Sequence, residues 1–130
     1  MNNIVVTPLG TVSPYCKANK KCPGFLIEYN GYKVLLDCGD GISSNLNFPY
    51  DLNNLIIIIS HLHKDHYSGI GSIGYASYVY KNFGYLDDKI KVYIPSGDKP
   101  KDNSTSYYYD NGWGQNVLVE KKLADFEFLT

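Results

Sequence analysis

All three histidines of this sequence fall within six consecutive positions, at His61, His63 and His66, and Asp65 stands among them. Neutral imidazole is a common side-chain ligand for transition metals. In extended backbone, residues two apart point to the same side, so His61 and His63 can bind one ion. Asp65 and His66 follow where the chain begins to turn, so they can face a second ion. This spacing predicts a two-metal hydrolytic site, in which the ions lie about 3.5–4 Å apart.

A structural zinc site has a different composition, because it needs four closed ligands that are often paired cysteines. The three cysteines here, Cys16, Cys22 and Cys38, show no C-x-x-C spacing and are interpreted as reduced thiols of a cytoplasmic protein. Two other interpretations are a surface histidine cluster that scavenges metal weakly and histidines held in a core. Lys64 and Asp65 interleave with the histidines and argue against the core interpretation. A site that keeps open positions for water and substrate is favoured.

The elements around this motif are predicted from hydrophobic patterns. Leu55–Ile59 is an unbroken apolar run directly before the histidines, which predicts a strand buried on both faces. Asn30-Gly31 joins the apolar runs Gly24–Tyr29 and Tyr32–Asp37, a strong signal for a β-hairpin. The class is therefore α/β or α+β with a mixed sheet. The remaining predictions are strands at Ile4–Thr7, Lys91–Ile94, Asn116–Lys121 and Phe126–Leu129, helices at Ile42–Phe48 and Gly69–Phe83, and a long surface loop at Pro95–Gly114.

Composition bounds the possible partners of the chain. The 130 residues suit one domain, with 44% hydrophobic residues and a formal net charge of −1. The amino terminus has no basic segment followed by a long apolar one, and Leu55–Ile59 is far shorter than a membrane span, so no membrane association is expected. The basic cluster Lys17, Lys20 and Lys21 is interpreted as a solvated loop rather than a substrate contact. Binding of nucleic acid therefore stays open.

The histidine motif resembles the H-x-H-x-D-H motif of the metallo-β-lactamase superfamily. Leu9–Pro14 resembles the L-G-T-x-S-P opening of the ribonuclease Z branch, and Val34–Gly41 is similar to that branch's strand ending in L-x-D-C-G-E-G. Gly41-Ile42-Ser43 stands where the branch has G-T-Q, which weakens a close ribonuclease Z assignment. Specific motifs extend over residues 4–71, and beyond them only the helix-strand pattern continues to match.

This resemblance implies a fold, a metal and a ligand set. The family fold is an αββα sandwich of two similar halves, so residues 1–130 are expected to form a partial domain that corresponds to the N-terminal half only. Two zinc ions are implied, with Mn²⁺ or Fe as alternatives. His61 and His63 would hold the first ion, and Asp65 and His66 the second. Asp65 would also act in catalysis by orienting or deprotonating the attacking water.

Asp37 matches the family's buried aspartate near the metal loop. The resemblance implies that it orients a ligand histidine, because such ligands donate their second ring N–H to a carboxylate or a carbonyl. The alternative is an Asx turn into Gly39, and one residue could do both.

The sequence also departs from the family. No histidine follows His66, so the family's two later histidine ligands and its general acid have no candidate in this chain. Asp102, Asp110 and Asp125 are available for the bridging aspartate, but none sits in a matching context. The expected function is a dinuclear zinc hydrolase, phosphodiesterase or ribonuclease Z-like, whose missing half comes from elsewhere. The alternatives are a non-catalytic zinc-binding remnant and a half-domain completed by oligomerisation. Phosphodiesters, lactones, thioesters and β-lactams all stay open as substrates, because the motif defines only the attacking group.

Overall fold

The structure is a computed structural model that describes residues 3–13, 15, 18–61, 63–86 and 90–94, and the backbone of three strands beyond them, at 106–110, 116–120 and 126–129. The side chain of Lys64 is outside this description. The strands are β1 Val5–Gly10, β2 Gly24–Tyr29, β3 Tyr32–Leu36, β4 Leu55–Ile58, β5 Ile90–Tyr93, β6 Ser106–Asp110, β7 Asn116–Glu120 and β8 Phe126–Leu129.

These strands form a mixed sheet, as the sequence predicts. Among the described residues, six strands form one sheet in the order β1-β2-β3-β4-β5-β8. β1, β2 and β3 run antiparallel, whereas β3, β4, β5 and β8 pair in parallel. The carboxyl ends of β3 and β4 therefore meet at the same edge of the sheet.

The predicted hairpin is confirmed. β2 and β3 pair from Phe25↔Leu36 to Tyr29↔Tyr32. Asn30 and Gly31 both adopt positive φ angles, 51° and 83°. Two such residues in succession match the right-handed twist of the flanking strands, which is why Asn-Gly favours this connection.

Two predicted elements have the wrong extent. The first strand was expected to end at Thr7, but β1 continues through Pro8 to Gly10 with a register shift. An edge strand tolerates proline, because its missing N–H need not pair with a neighbour. The helix predicted over Ile42–Phe48 is only a 3-10 turn at Ile42–Asn45, followed by a second one at Tyr50–Leu52.

The predictions for the carboxyl-terminal segments are confirmed for three strands and wrong for one loop. The strands predicted near residues 91, 116 and 126 are present as β5, β7 and β8. The loop predicted over Pro95–Gly114 contains β6, which pairs with β7 in a separate two-stranded sheet. The tyrosine run in β6 has a composition that favours strands, which explains this error. Residues 95–105 and 111–115 lie outside the described part.

The helices are α1 Lys64–Tyr67 and α2 Ile70–Asn82, and α2 confirms the helix predicted over Gly69–Phe83. α2 buries Ile73 completely against a core that includes Leu35, Ile57 and Val92, all fully buried. In the part of the chain that the structure describes, no helix has the length and apolarity to span a membrane.

β4 is buried on one face rather than on both. Ile57 is fully buried, whereas its neighbour Ile58 is 38% exposed. The register places Leu36, Ile58 and Tyr93 side by side on this second face, and Tyr93 is also exposed. The prediction of a strand buried on both faces was wrong, because the described core, which includes Ile73 of α2, packs only against the face of β4 that carries Ile57.

Candidate metal centre

The three histidines converge where β4 ends. The ring centroid of His61 lies 4.4 Å from that of His63 and 4.1 Å from that of His66. β4 carries the chain to this edge of the sheet, and α1 then turns it back so that His66 returns beside His61. The structure therefore brings together the residues that the motif predicted as metal ligands, and Asp65 lies beside His66.

Close backbone packing holds this loop against the turn after β3. The N–H of Cys38 donates to the carbonyl of His66 at 2.8 Å, and the N–H of Gly69 donates to the carbonyl of Cys38 at 2.9 Å. A Cβ atom on Gly39 would overlap the carbonyl oxygen of Asp65, and one on Gly69 would overlap the carbonyl oxygen of Gly39. Only glycine permits these approaches, so Gly39 and Gly69 determine how closely the metal loop packs against the turn after β3.

The Asp37 carboxylate is a centre of hydrogen bonds at the edge of the loop. Asp37 has a φ of 60°, an uncommon left-handed conformation that aspartate tolerates better than most residues. Its Oδ1 accepts from the N–H of Ser60 at 2.7 Å, and its Oδ2 lies 2.8 Å from both Ser60 Oγ and His66 Nδ1. The Asx turn into Gly39 is not formed, because the Gly39 N–H donates to the Pro23 carbonyl instead.

Two serines join the site although the sequence reasoning did not name them. Ser60 Oγ lies 2.9 Å from His61 Nδ1, and Ser13 Oγ donates to Asp65 Oδ2 at 2.9 Å. Ser60 directly precedes the motif, so its position was a usable signal. Ser13 is 52 residues from Asp65 along the chain, and only its place in the L-G-T-x-S-P segment could have drawn attention to it.

Burial and neighbouring charge favour the neutral form of one predicted ligand. Burial is the main cause that lowers the pKa of His61, and the nearby His66 and His63 lower it further. Asp37 and Asp65 raise it and offset part of this effect. A neutral imidazole is the form that binds a metal ion, so the environment of His61 suits a ligand.

Cys38 is not suited to such a role. Burial, with smaller contributions from Asp37 and Asp40, raises the pKa of its thiol to about 12. A protonated thiol is a poor metal ligand, because the thiolate is the binding form. Cys22 and Cys38 are both buried, and Cys16 lies outside the described residues.

The donor set fits metal ions in two pairs. Asp65 is only 9% exposed, and its Oδ2 lies 3.3 Å from His66 Nε2. In the tautomer that donates its Nδ1 hydrogen to Asp37, His66 presents a lone pair on Nε2 toward Asp65 Oδ2, and a metal cation between them could bind both atoms. Among the described residues, no three His, Cys, Asp or Glu side chains are arranged to hold one ion.

A cavity is lined by the segment that directly precedes Ser13 in the chain. Its volume is about 470 Å³, and it is bordered by residues 8–12, Asn19, Lys20, Lys21 and Asn45. Among the described residues, two lysines and no carboxylate line it, although the chain as a whole carries a charge of −1. Lys17, the third member of the predicted basic cluster, lies outside the described residues.

The chain is similar to known proteins of established families. A family model described as anti-Pycsar protein Apyc1 matches residues 4–100. Ribonuclease Z of Saccharolobus solfataricus is 38% identical over 96 residues, which are 72% of this chain and 31% of that protein. The probable metallo-hydrolase YhfI of Bacillus subtilis is 29% identical over 94 residues, 72% of this chain and 38% of that protein. The chain thus spans about a third of the length of these relatives.

Solved structures give the same fold. The crystal structure of YhfI, described as a metallo-β-lactamase fold protein, superposes with a TM-score of 0.65 at 29% identity, covering 70% of this chain and 37% of that one. Human tRNase Z, short form, superposes with a TM-score of 0.54 at 25% identity, covering 75% of this chain and 36% of that one. The described elements therefore have the metallo-β-lactamase fold, as the sequence motifs implied.

Proposed function

Because this chain belongs to the family of the anti-Pycsar protein Apyc1, we propose that it supplies the metal-binding loop of a metal-dependent hydrolase that cleaves phosphodiesters. The observation that carries the proposal is the pair of acceptors at His66 Nε2 and Asp65 Oδ2, 3.3 Å apart at the closed end of the loop. Asp65 Oδ2 also accepts from Ser13 Oγ, and two acceptors that face each other repel unless a proton or a metal cation joins them. The loop therefore suits a site built for metal ions.

The residues divide between two ions. His61 and His63 would hold one ion, and Asp65 and His66 the other, with zinc as the metal that best fits imidazole and carboxylate donors. Mn²⁺ or Fe are alternatives. When bound, two zinc ions would supply Lewis acidity and lower the pKa of a water molecule to near neutrality. Asp65 would orient that water and accept its proton.

A phosphodiester is the substrate class that the surroundings favour. Ribonuclease Z and tRNase Z are named for RNA cleavage, in which the scissile bond is a phosphodiester. The cavity lined by Lys20 and Lys21 is also lined by Val12, the residue before Ser13, and Ser13 bonds the proposed catalytic Asp65. A cationic lining suits an anionic flank of the substrate and offers less to a neutral lactone.

Completion of the site is proposed to come from outside the described residues. The half-exposed apolar row of Leu36, Ile58 and Tyr93 favours a second layer against this sheet, supplied by further polypeptide or by a second copy of the chain. The same observation supports the second candidate function, a zinc-binding half-domain that has no activity until it is completed.

The experiment is hydrolysis of bis(p-nitrophenyl) phosphate by the zinc-loaded protein, beside chromogenic lactone, thioester and β-lactam substrates. We expect zinc-dependent phosphodiester hydrolysis that His63→Ala abolishes. The double variant Lys20→Ala/Lys21→Ala should raise KM several-fold with little change in kcat, whereas Lys91→Ala, on exposed β5 surface, should change neither. Full zinc occupancy without hydrolysis of any substrate would contradict a hydrolase completed by a second copy of this chain and leave the zinc-binding half-domain.

A further inference from the structure

We propose that Ser60 is a positioning residue that sets the tautomer of His61 by linking its ring to the Asp37 carboxylate. One carboxylate would then direct Nε2 of both His61 and His66 to the metals. The inference rests on the proposed metal-binding function of these histidines, but it concerns hydrogen bonds that exist in the metal-free protein.

Ser60 has a single hydroxyl hydrogen to donate. Ser60 Oγ donates it to Asp37 Oδ2 at 2.8 Å, because an ionised carboxylate can only accept. Ser60 Oγ also lies 2.9 Å from His61 Nδ1. With its hydrogen already committed, the hydroxyl can only accept from the ring. His61 must therefore carry its hydrogen on Nδ1, which leaves the lone pair on Nε2.

The same carboxylate sets His66. Its Oδ2 lies 2.8 Å from His66 Nδ1, so this nitrogen must also be the donor. The other ring nitrogen, His66 Nε2, then faces Asp65 and lies 3.3 Å from its Oδ2. His66 is bound to Asp37 directly, whereas His61 is bound to it through one hydroxyl group.

The backbone holds Ser60 where this link needs it. The Ser60 N–H donates to Asp37 Oδ1 at 2.7 Å, so one serine occupies both oxygens of the carboxylate. The Asp37 N–H in turn donates to the carbonyl of Ile58 at 2.8 Å. The backbone bonds do not depend on the hydroxyl. Removing the hydroxyl should therefore change the ring of His61 and leave the loop in place.

The link predicts a selective effect on the two ions. Ser60 acts on the pair His61 and His63, whereas Ser13 bonds Asp65 of the other pair. Partners that orient metal ligands typically change metal affinity by about 10–100-fold. Ser60→Ala should weaken the ion at His61 by about that factor and leave the ion at Asp65 and His66 nearly unchanged.

The test is long-range ¹H–¹⁵N NMR of the imidazole rings in the metal-free protein at pH 8. The chain has only three histidines, so three ring systems appear and His63→Ala assigns one of them. In the unmodified chain we expect His61 and His66 both protonated on Nδ1. Ser60→Ala should move His61 toward the Nε2-protonated tautomer without changing His66, and Ser60→Thr should restore it.

The controls separate this role from a general loss of structure. Ser68→Ala removes an exposed hydroxyl at the end of the same loop and should change neither ring. Backbone amide spectra show whether each variant folds, and zinc titrations give the selective loss at His61. The proposal is overturned if His61 carries its hydrogen on Nε2 in the unmodified chain, or if Ser60→Ala leaves its tautomer as it was. Failure to hydrolyse any substrate would not produce either result, so the two proposals fail separately.

Discussion

Replacing Asp37 by asparagine tests the hydrogen-bond network with the smallest change of shape. Asparagine keeps one acceptor oxygen for the N–H of Ser60, but it places an NH₂ group where Oδ2 receives Ser60 Oγ and His66 Nδ1. Hydrogen bonds to charged groups contribute about 1.5–3 kcal/mol each, so two lost bonds set an upper range of about 3–6 kcal/mol. The Ser60 hydroxyl can rotate and accept from the new amide, which recovers part of this. We expect the free energy of unfolding to fall by about 2–3 kcal/mol.

The zinc affinity of Asp37→Asn should fall by about 10–100-fold, since His66 loses the acceptor that orients it. The assay is urea unfolding of the metal-free chain together with zinc titration. Asp51→Asn is a matched control, because Asp51 accepts the N–H of Asn47 at 2.7 Å and its side chain is 18% exposed against 14% for Asp37. The control should lose some stability and no zinc affinity. Equal zinc affinity in both variants and the unmodified chain would refute the reasoning.

Three further predictions test the packing around the site. Gly39→Ala should destabilise the fold by about 1–3 kcal/mol or more in urea unfolding and weaken zinc binding, because the added Cβ overlaps the metal loop. Gly71→Ala, whose Cβ meets open space in α2, should instead stabilise the fold by up to about 1 kcal/mol. Equal effects of the two substitutions on stability would contradict the close approach at Gly39. The thiol of Cys38, whose pKa burial raises to about 12, should resist alkylation by iodoacetamide at pH 8 until the chain unfolds. The free energy of unfolding should decline as pH rises from about 9 toward 12, because the folded state keeps the thiol proton to a higher pH than the unfolded state does. Detection of alkylated Cys38 in the folded protein by mass spectrometry would contradict this prediction. Ile57→Ala should cost about 2–5 kcal/mol and Ile58→Ala far less, and similar costs would mean that the second face is covered.

The hairpin and the metal loop could be predicted because their signals are local. Asn30-Gly31 encodes two positive φ angles in adjacent residues, and the histidine spacing places its donors on one short loop after β4. Resemblance to a family then supplied the αββα expectation and a role for Asp37. These predictions needed no knowledge of how distant segments pack.

The features that the sequence did not predict depend on contacts between segments that are distant along the chain. Ser13 reaches Asp65 across 52 residues, and no periodicity in the sequence encodes that contact. The exposure of Ile58 could not be predicted from an apolar run, because a run reports the hydrophobicity of both faces and not which face is covered. Ser60 lay next to the motif, but its importance follows only from the position of Asp37 on the neighbouring strand end.

The central claim is that this loop binds metal ions through its histidines. The most direct measurement is zinc content by elemental mass spectrometry, after equilibrium dialysis of the purified chain against micromolar zinc, beside His63→Ala and Ser68→Ala. The account predicts about two ions per chain when the site is complete, loss of at least one in His63→Ala and no loss in Ser68→Ala. Zinc contents that are the same in the unmodified chain and in a folded His63→Ala variant would contradict it.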